Sequence, residues 1–362
     1  MAQPVRFSTS VETPAPDEAD TIRGLEEQFK TILDTTSQDY GHAVRAVHAK
    51  GHGLARGTLT ITEGLPPELS QGLFARPGEY EAIVRLSTNA GDILDDKIML
   101  PRGLALKILG VDGPRLAGSE SDTAQDFVMV NGPAFAAPTP AAFLKNLKLL
   151  ARTTDVAEGG KKILSAVLRG AEAALEAVGT ESAFLQTLGG AKPVHPLGAT
   201  YYSQTPFRFG DYIAKFALFP VSSIKNYADV TVEAGDNPDA IRDAVDSTLI
   251  ETGGTWELRA QLCTDLETMP IEDASVVWDD TESPFRTVAT LTVPPQRGWV
   301  KGESDRMEDR LSFAPWHGLA AHQPLGGVNR ARKAPYDFSS GYRSRFNGCP
   351  IHEPARLAAL DG

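Results

Sequence analysis

Between Gly53 and Val293 the chain keeps returning to a two-residue period, and that rhythm limits the fold more than any other feature. Thr58, Thr60 and Thr62 alternate with Leu59 and Ile61. Further runs follow at Ile83-Val84-Arg85-Leu86-Ser87, Leu104 to Leu109, Thr200 to Tyr202, Ile213 to Leu218, Thr255 to Leu262 and Arg286 to Val293. Such runs, bounded by Gly, Pro and Asp, read as strands. The candidates number roughly eight, and closing an antiparallel sheet into a barrel is one way to remove its exposed edges. Helical spacing interrupts the pattern. Ile22, Leu25, Phe29, Ile32 and Leu33 predict an amphipathic helix over 21–33, Pro140 to Val178 a helical insertion, and Asn237-Pro238-Asp239 the start of a helix running toward Glu251. The expected class is therefore α+β, an eight-stranded antiparallel barrel over about 53–293 with inserted helices. Residues 294–362, irregular and rich in Gly and Pro, are expected to wrap it. Residues 1–20, polar and Pro-containing, are expected to form a flexible arm before a single domain over 21–362.

Composition narrows the partners. With 33 glycines and 25 prolines the chain favours turns over a helical bundle, and a net charge of −12 argues against nucleic acid or an anionic membrane surface. No window reaches the ~18 apolar residues of a membrane span. Two cysteines, Cys263 and Cys349, make neither a disulfide framework nor a zinc pattern, which together with the lack of a leader predicts a cytoplasmic protein with reduced thiols. Gly159-Gly160-Lys161-Lys162 lacks phosphate-loop spacing. His317 and His322 stand five apart with no third ligand evident, so they are expected in a loop or at the surface.

Two segments near opposite ends carry chemistry, Arg45-Ala46-Val47-His48-Ala49-Lys50-Gly51 and Arg332-Lys333-Ala334-Pro335-Tyr336. Between them lie Val84-Arg85-Leu86-Ser87-Thr88, Pro101-Arg102-Gly103-Leu104-Ala105-Leu106-Lys107, and the long run from Trp256 to Pro270. Their order resembles the catalase superfamily over about Arg45 to Arg345. The resemblance implies a b-type haem with ferric iron, bound through Tyr336, with His48 as distal acid–base and Ser87 bonded to its second ring nitrogen. It also assigns Arg45, Arg85 and Arg343 to the haem propionates, Arg332 to the proximal tyrosinate, and Phe135 and Phe143 to the distal pocket. The physics agrees. Peroxide cleavage needs a neutral imidazole to take and return a proton, and a phenolate ligand needs a cation nearby to favour its charged form. Arg332 and Tyr336, four apart, would share a helical face. Pro335 between them suits only a first turn, so the helix is expected to begin at or just before Tyr336.

Departures from the family qualify the activity. In Asp126 to Phe135, an ungapped reading puts Val130 at the distal amide position and Asn131 beside it; a shift by one would restore the amide. Leu100 replaces a channel Asp, and Ala136 replaces one distal Phe. These changes predict a peroxidase reducing hydrogen peroxide or organic hydroperoxides with a small-molecule reductant, with weak dismutation. The alternatives are a fatty-acid hydroperoxide isomerase or dehydratase of the allene oxide synthase type, and a non-catalytic haem-binding protein. No nicotinamide site is expected, and homo-oligomer formation is left open.

Overall fold

A computed structural model describes residues 3–151, 191–351 and 353–360. Its strands are β1 (Gly51–Ile61), β2 (Glu79–Thr88), β3 (Arg102–Ile108), β4 (Gln125–Val130), β5 (Tyr201–Tyr202), β6 (Phe207–Phe209), β7 (Tyr212–Val221), β8 (Gly254–Leu262) and β9 (Arg286–Val293). All pairings are antiparallel, and the ring β1-β2-β3-β4-β5-β7-β8-β9 returns to β1. That is the expected eight-stranded barrel. The short β6 shares an edge of β7 with β5: Tyr201 lies opposite Leu218, and Phe207 opposite Ala214. The segment carrying β5 and β6 thus runs along one edge of β7 in two pieces.

Alternation decides which residues face the barrel interior and which the outside. Val84, Leu86, Leu104, Leu106, Phe127 and Met129 fill the inside, beside Phe207, Phe216 and Trp256. The opposite face of the same three strands is not solvated. Its rows, set by register, are Ser87–Gly103–Val130, Arg85–Ala105–Val128 and Ile83–Lys107–Asp126. Arg85, Lys107 and Asp126 are nearly or fully buried there. Polar groups on an outer wall stay buried only if later chain covers them with partners.

Four helices of interest lie outside the barrel, α1 (Glu18–Tyr40), α2 (Pro140–Ala151), α4 (Glu303–Arg310) and α5 (Gly327–Phe346), while α3 (Ala240–Thr252) packs near β1. Leu25, Phe29 and Leu33 of α1 form a second small core with Ala46, Leu147 and Ala331, and Val47, Phe143, Phe338 and Tyr342 pack against it. The α2 helix realises the start of the Pro140–Val178 insertion; positions 152–178 lie outside the described residues. Two expectations need correction. The α5 helix does not begin at Tyr336: it runs from Gly327 straight through Pro335. A buried proline costs about 3 kcal/mol in a helix interior, and packing on α1 and α2 offsets it. Nor is the described part of 1–20 a loose arm. Val5 and Phe7 N–H groups donate to the Cys263 and Asp211 carbonyls, both at 2.8 Å, and Glu12 and Glu18 pair with Arg330 at 2.6 and 2.7 Å.

Candidate active site

The segment Arg45–His48 lies directly against α5. Ala46 N–H donates to Ser339 Oγ at 3.3 Å, and Val47 lines a cleft together with Tyr336, Arg45, Arg343, Phe29 and Phe313. The two motifs from opposite ends of the chain are therefore one site, built between the outer barrel wall and the C-terminal helices.

His48 is held in an unusual conformation. Its φ is 55°, the left-handed region that costs a non-glycine residue on the order of 1–3 kcal/mol. Backbone contacts sustain it: His48 N–H donates to the Asn89 carbonyl at 3.2 Å, and the His48 carbonyl accepts from Arg85 Nη2 at 2.9 Å. The ring then lies over the Ser87–Gly103–Val130 row, with Nδ1 3.0 Å from Ser87 Oγ. Gly103 makes the approach feasible, because a Cβ there would come within 2.4 Å of the imidazole. Burial, then the Arg85, Arg332 and Arg45 charges, push the His48 pKa down to about 3. A depressed basic pKa keeps the ring neutral at every pH above that value. The acid limb of a pH–rate profile is accordingly expected below pH ~4 rather than near the ordinary ~6.5; a limb centred near the ordinary value would contradict the assignment of His48 as base.

On the other side Arg332 Nη2 donates to the Tyr336 hydroxyl at 3.1 Å, and the guanidinium lies 5.3 Å from the ring centroid. The continuous helix sets this contact, with the two residues one turn apart. Arg332 is itself positioned by Asn329 Oδ1 at 3.3 Å, and buried Asn329 is fixed by the Thr205 hydroxyl at 3.0 Å and the Pro206 carbonyl at 3.0 Å. Sequence reading missed Asn329; only its place one turn before Arg332 hinted at it.

Arg45, Arg85 and Arg343 come together in the structure. Together they meet the C-terminal end of α4. Arg85 Nε lies 2.7 Å from Glu308 Oε1, Arg45 pairs with the same carboxylate, and Arg343 donates to the Glu308 and Leu311 carbonyls at 3.1 Å each. No motif pointed to Glu308. Arg343 Nε is buried without a hydrogen-bond partner, and with two guanidiniums on the Glu308 carboxylate and a third on main-chain carbonyls the cluster has capacity for more anion. A tyrosine oxygen facing a guanidinium, a neutral imidazole and surplus arginine donors are the groups a ferric haem with two propionates requires. The residues fit that group.

The remaining candidates divide. Phe135 and Phe143 form a ring pair with centroids 5.0 Å apart, and Phe143 packs with Val47 around the α1–α2–α5 core. Asn131 does not join the row beneath His48. Register places Val130 opposite Gly103, and Asn131, one residue on, accepts with its carboxamide oxygen from Arg102 N–H at 2.7 Å. Of the two extra histidines, His317 lies in a loop and is partly buried, whereas His322 is not at the surface. His322 is fully buried among Phe74, Phe127, Phe209 and Phe216, accepting Leu73 N–H at 3.0 Å. His317 reaches the cleft but holds Asp126 at 3.3 Å, and Asp126 also pairs with Lys107 at 2.8 Å. Among the described residues no cluster of His, Cys, Asp and Glu is arranged for a metal ion, and no helix is long and apolar enough to cross a membrane.

No protein-family profile and no curated protein matches the sequence. Solved structures do. A fungal catalase superposes with a TM-score of 0.61 at 20% identity over 86% of this chain and 62% of its own. Catalase A from Saccharomyces cerevisiae gives 0.60 at 17% identity, covering 91% of this chain and 67% of its own. A bacterial catalase gives 0.58 at 18% identity, covering 97% and 66%. The chain thus spans 62–67% of the length of these structures. The fold is catalase-like.

Proposed function

We propose that this protein is a haem-dependent peroxidase of the catalase-related type, acting on hydrogen peroxide or organic hydroperoxides. The observation that carries the reading is the joining of two pairs, His48 with Ser87 and Arg332 with Tyr336, through the Ala46–Ser339 contact. Tyr336 would ligate the iron, and Arg45, Arg85 and Arg343 would hold the propionates. When bound, the haem supplies the iron that exchanges electrons with peroxide and reductant.

The chain's own residues handle protons and placement. His48, neutral and oriented through Nδ1, takes the peroxide proton at Nε2 and delivers it to the departing oxygen, so that an alcohol or water leaves instead of an anion. The net reaction consumes two electrons and two protons from a small-molecule reductant per peroxide. Val130 supports reduction over dismutation. An isopropyl group offers no hydrogen bond to a second peroxide molecule, and with the Phe135–Phe143 pair nearby the surroundings suit an organic hydroperoxide or an aromatic reductant.

The test is a hemin titration followed by product analysis. One hemin per chain with a Soret band is expected, then conversion of a lipid hydroperoxide to its alcohol with consumption of a dye reductant, faster than dioxygen release from hydrogen peroxide. Turnover of the hydroperoxide without reductant would replace this reading with isomerase or dehydratase chemistry. Hemin binding without any turnover would leave a haem-binding protein.

A further inference from the structure

Glu308, on which Arg45 and Arg85 converge, belongs to none of the motifs. It lies in the last turn of α4 with its side chain only 12% exposed. Gly51 gives it room, since a Cβ at that position would come within 2.8 Å of both Glu308 Oε1 and the Trp299 ring. The main chain of the same turn is also committed: the Glu308 and Leu311 carbonyls accept from Arg45 at 3.1 and 2.9 Å, as well as from Arg343. Carbonyls left over at a helix C-terminus attract cations, and two guanidiniums cap this one. The neighbouring Asp309 carboxylate bonds to His42 at 2.9 Å and Asn347 at 3.2 Å, and its charge also favours the cations of Arg45 and Arg343.

The guanidiniums of Arg45 and Arg85 pair with the Glu308 carboxylate, and that of Arg343 meets the main-chain carbonyls of the same turn, so positive charge is in surplus in a largely buried place. Such a surplus is costly until a ligand neutralises it. The geometry points to Glu308 as a built-in counter-ion that limits the positive surplus of the cluster, matching the site to a porphyrin with free carboxylates and against one whose carboxylates are esterified. The inference rests on the haem reading and adds to it a residue that sets ligand charge. Glu308 holds the arginines near one another before loading, and it weakens the attraction that each incoming propionate feels.

The experiment titrates hemin and hemin dimethyl ester into the wild type, E308Q and E308D, following the Soret band, with thermal unfolding of the unloaded proteins alongside. The wild type is expected to prefer hemin to the ester. E308Q is expected to unfold at lower temperature when unloaded, yet to bind hemin roughly tenfold more tightly with no change for the ester, since one unit of nearby negative charge is gone. E308D retains the charge and is expected to stay within about threefold of the wild type for both porphyrins. Equal or weaker hemin binding by E308Q, or an equal gain for the ester, would overturn the inference. So would equal binding of the two porphyrins by the wild type, a measurement that stands even if E308Q does not fold. Failure of the wild type to bind hemin at all would instead remove the haem reading on which the inference rests.

Discussion

Tyr336→Phe is expected to lose hemin affinity by roughly 100-fold or more, and peroxide turnover with it, because on the proposed reading it removes an iron ligand, which costs at least as much as removing a residue that supports one. The change is a single oxygen. In the protein that oxygen has Arg332 as its hydrogen-bond partner at 3.1 Å, so the helix and its packing on α1 are retained. Arg332 keeps Asn329, which in turn keeps Thr205 and Pro206. Circular dichroism should therefore match the wild type while the Soret band of hemin-treated protein is lost or displaced. An unchanged spectrum at unchanged hemin content would show that the phenol does not ligate iron.

His48→Asn is expected to do the reverse: hemin content stays, and turnover falls by about 10²–10⁴-fold, the usual contribution of a positioned acid–base group. Asparagine is the informative replacement, because it tolerates the left-handed backbone that His48 adopts at φ 55°, whereas most residues do not. It is also small enough to clear Gly103. Stopped-flow mixing of the hemin-loaded variant with peroxide measures the loss directly. A rate within threefold of the wild type would remove His48 from the mechanism. The two variants separate binding from chemistry, which a single activity assay cannot do.

Much of the site was legible because side-chain alternation leaves a trace in sequence. Arg85 and Ser87 sit at odd positions among apolar even ones, so a reader who sees strand also sees two polar groups on one face. The barrel could be inferred for the same reason. What escaped reading depends on contacts between distant segments. Pro335 suggested a helix start, and only packing of α5 on α1 explains a helix that continues through it. The polar residues before Glu18 suggested a loose arm, but Glu12 and Glu18 have a partner in Arg330. Composition cannot reveal that. Glu308 looked like one acid in a charged stretch, Glu303 to Arg310, until Gly51 and three arginines closed around it. The choice between Val130 and Asn131 turns on a one-residue register, the step at which strand reading is weakest.

The site's two halves also constrain when it can exist. The loop bearing His48 is synthesised long before Tyr336 and Ser339, which contacts the neighbouring Ala46, and Glu12 and Glu18 likewise wait for Arg330. Contacts so far apart in sequence form late and slowly. A nascent chain that has emerged only as far as the barrel has His48 without Tyr336, so on the proposed haem reading a prosthetic group could engage both residues only after α5 has been made.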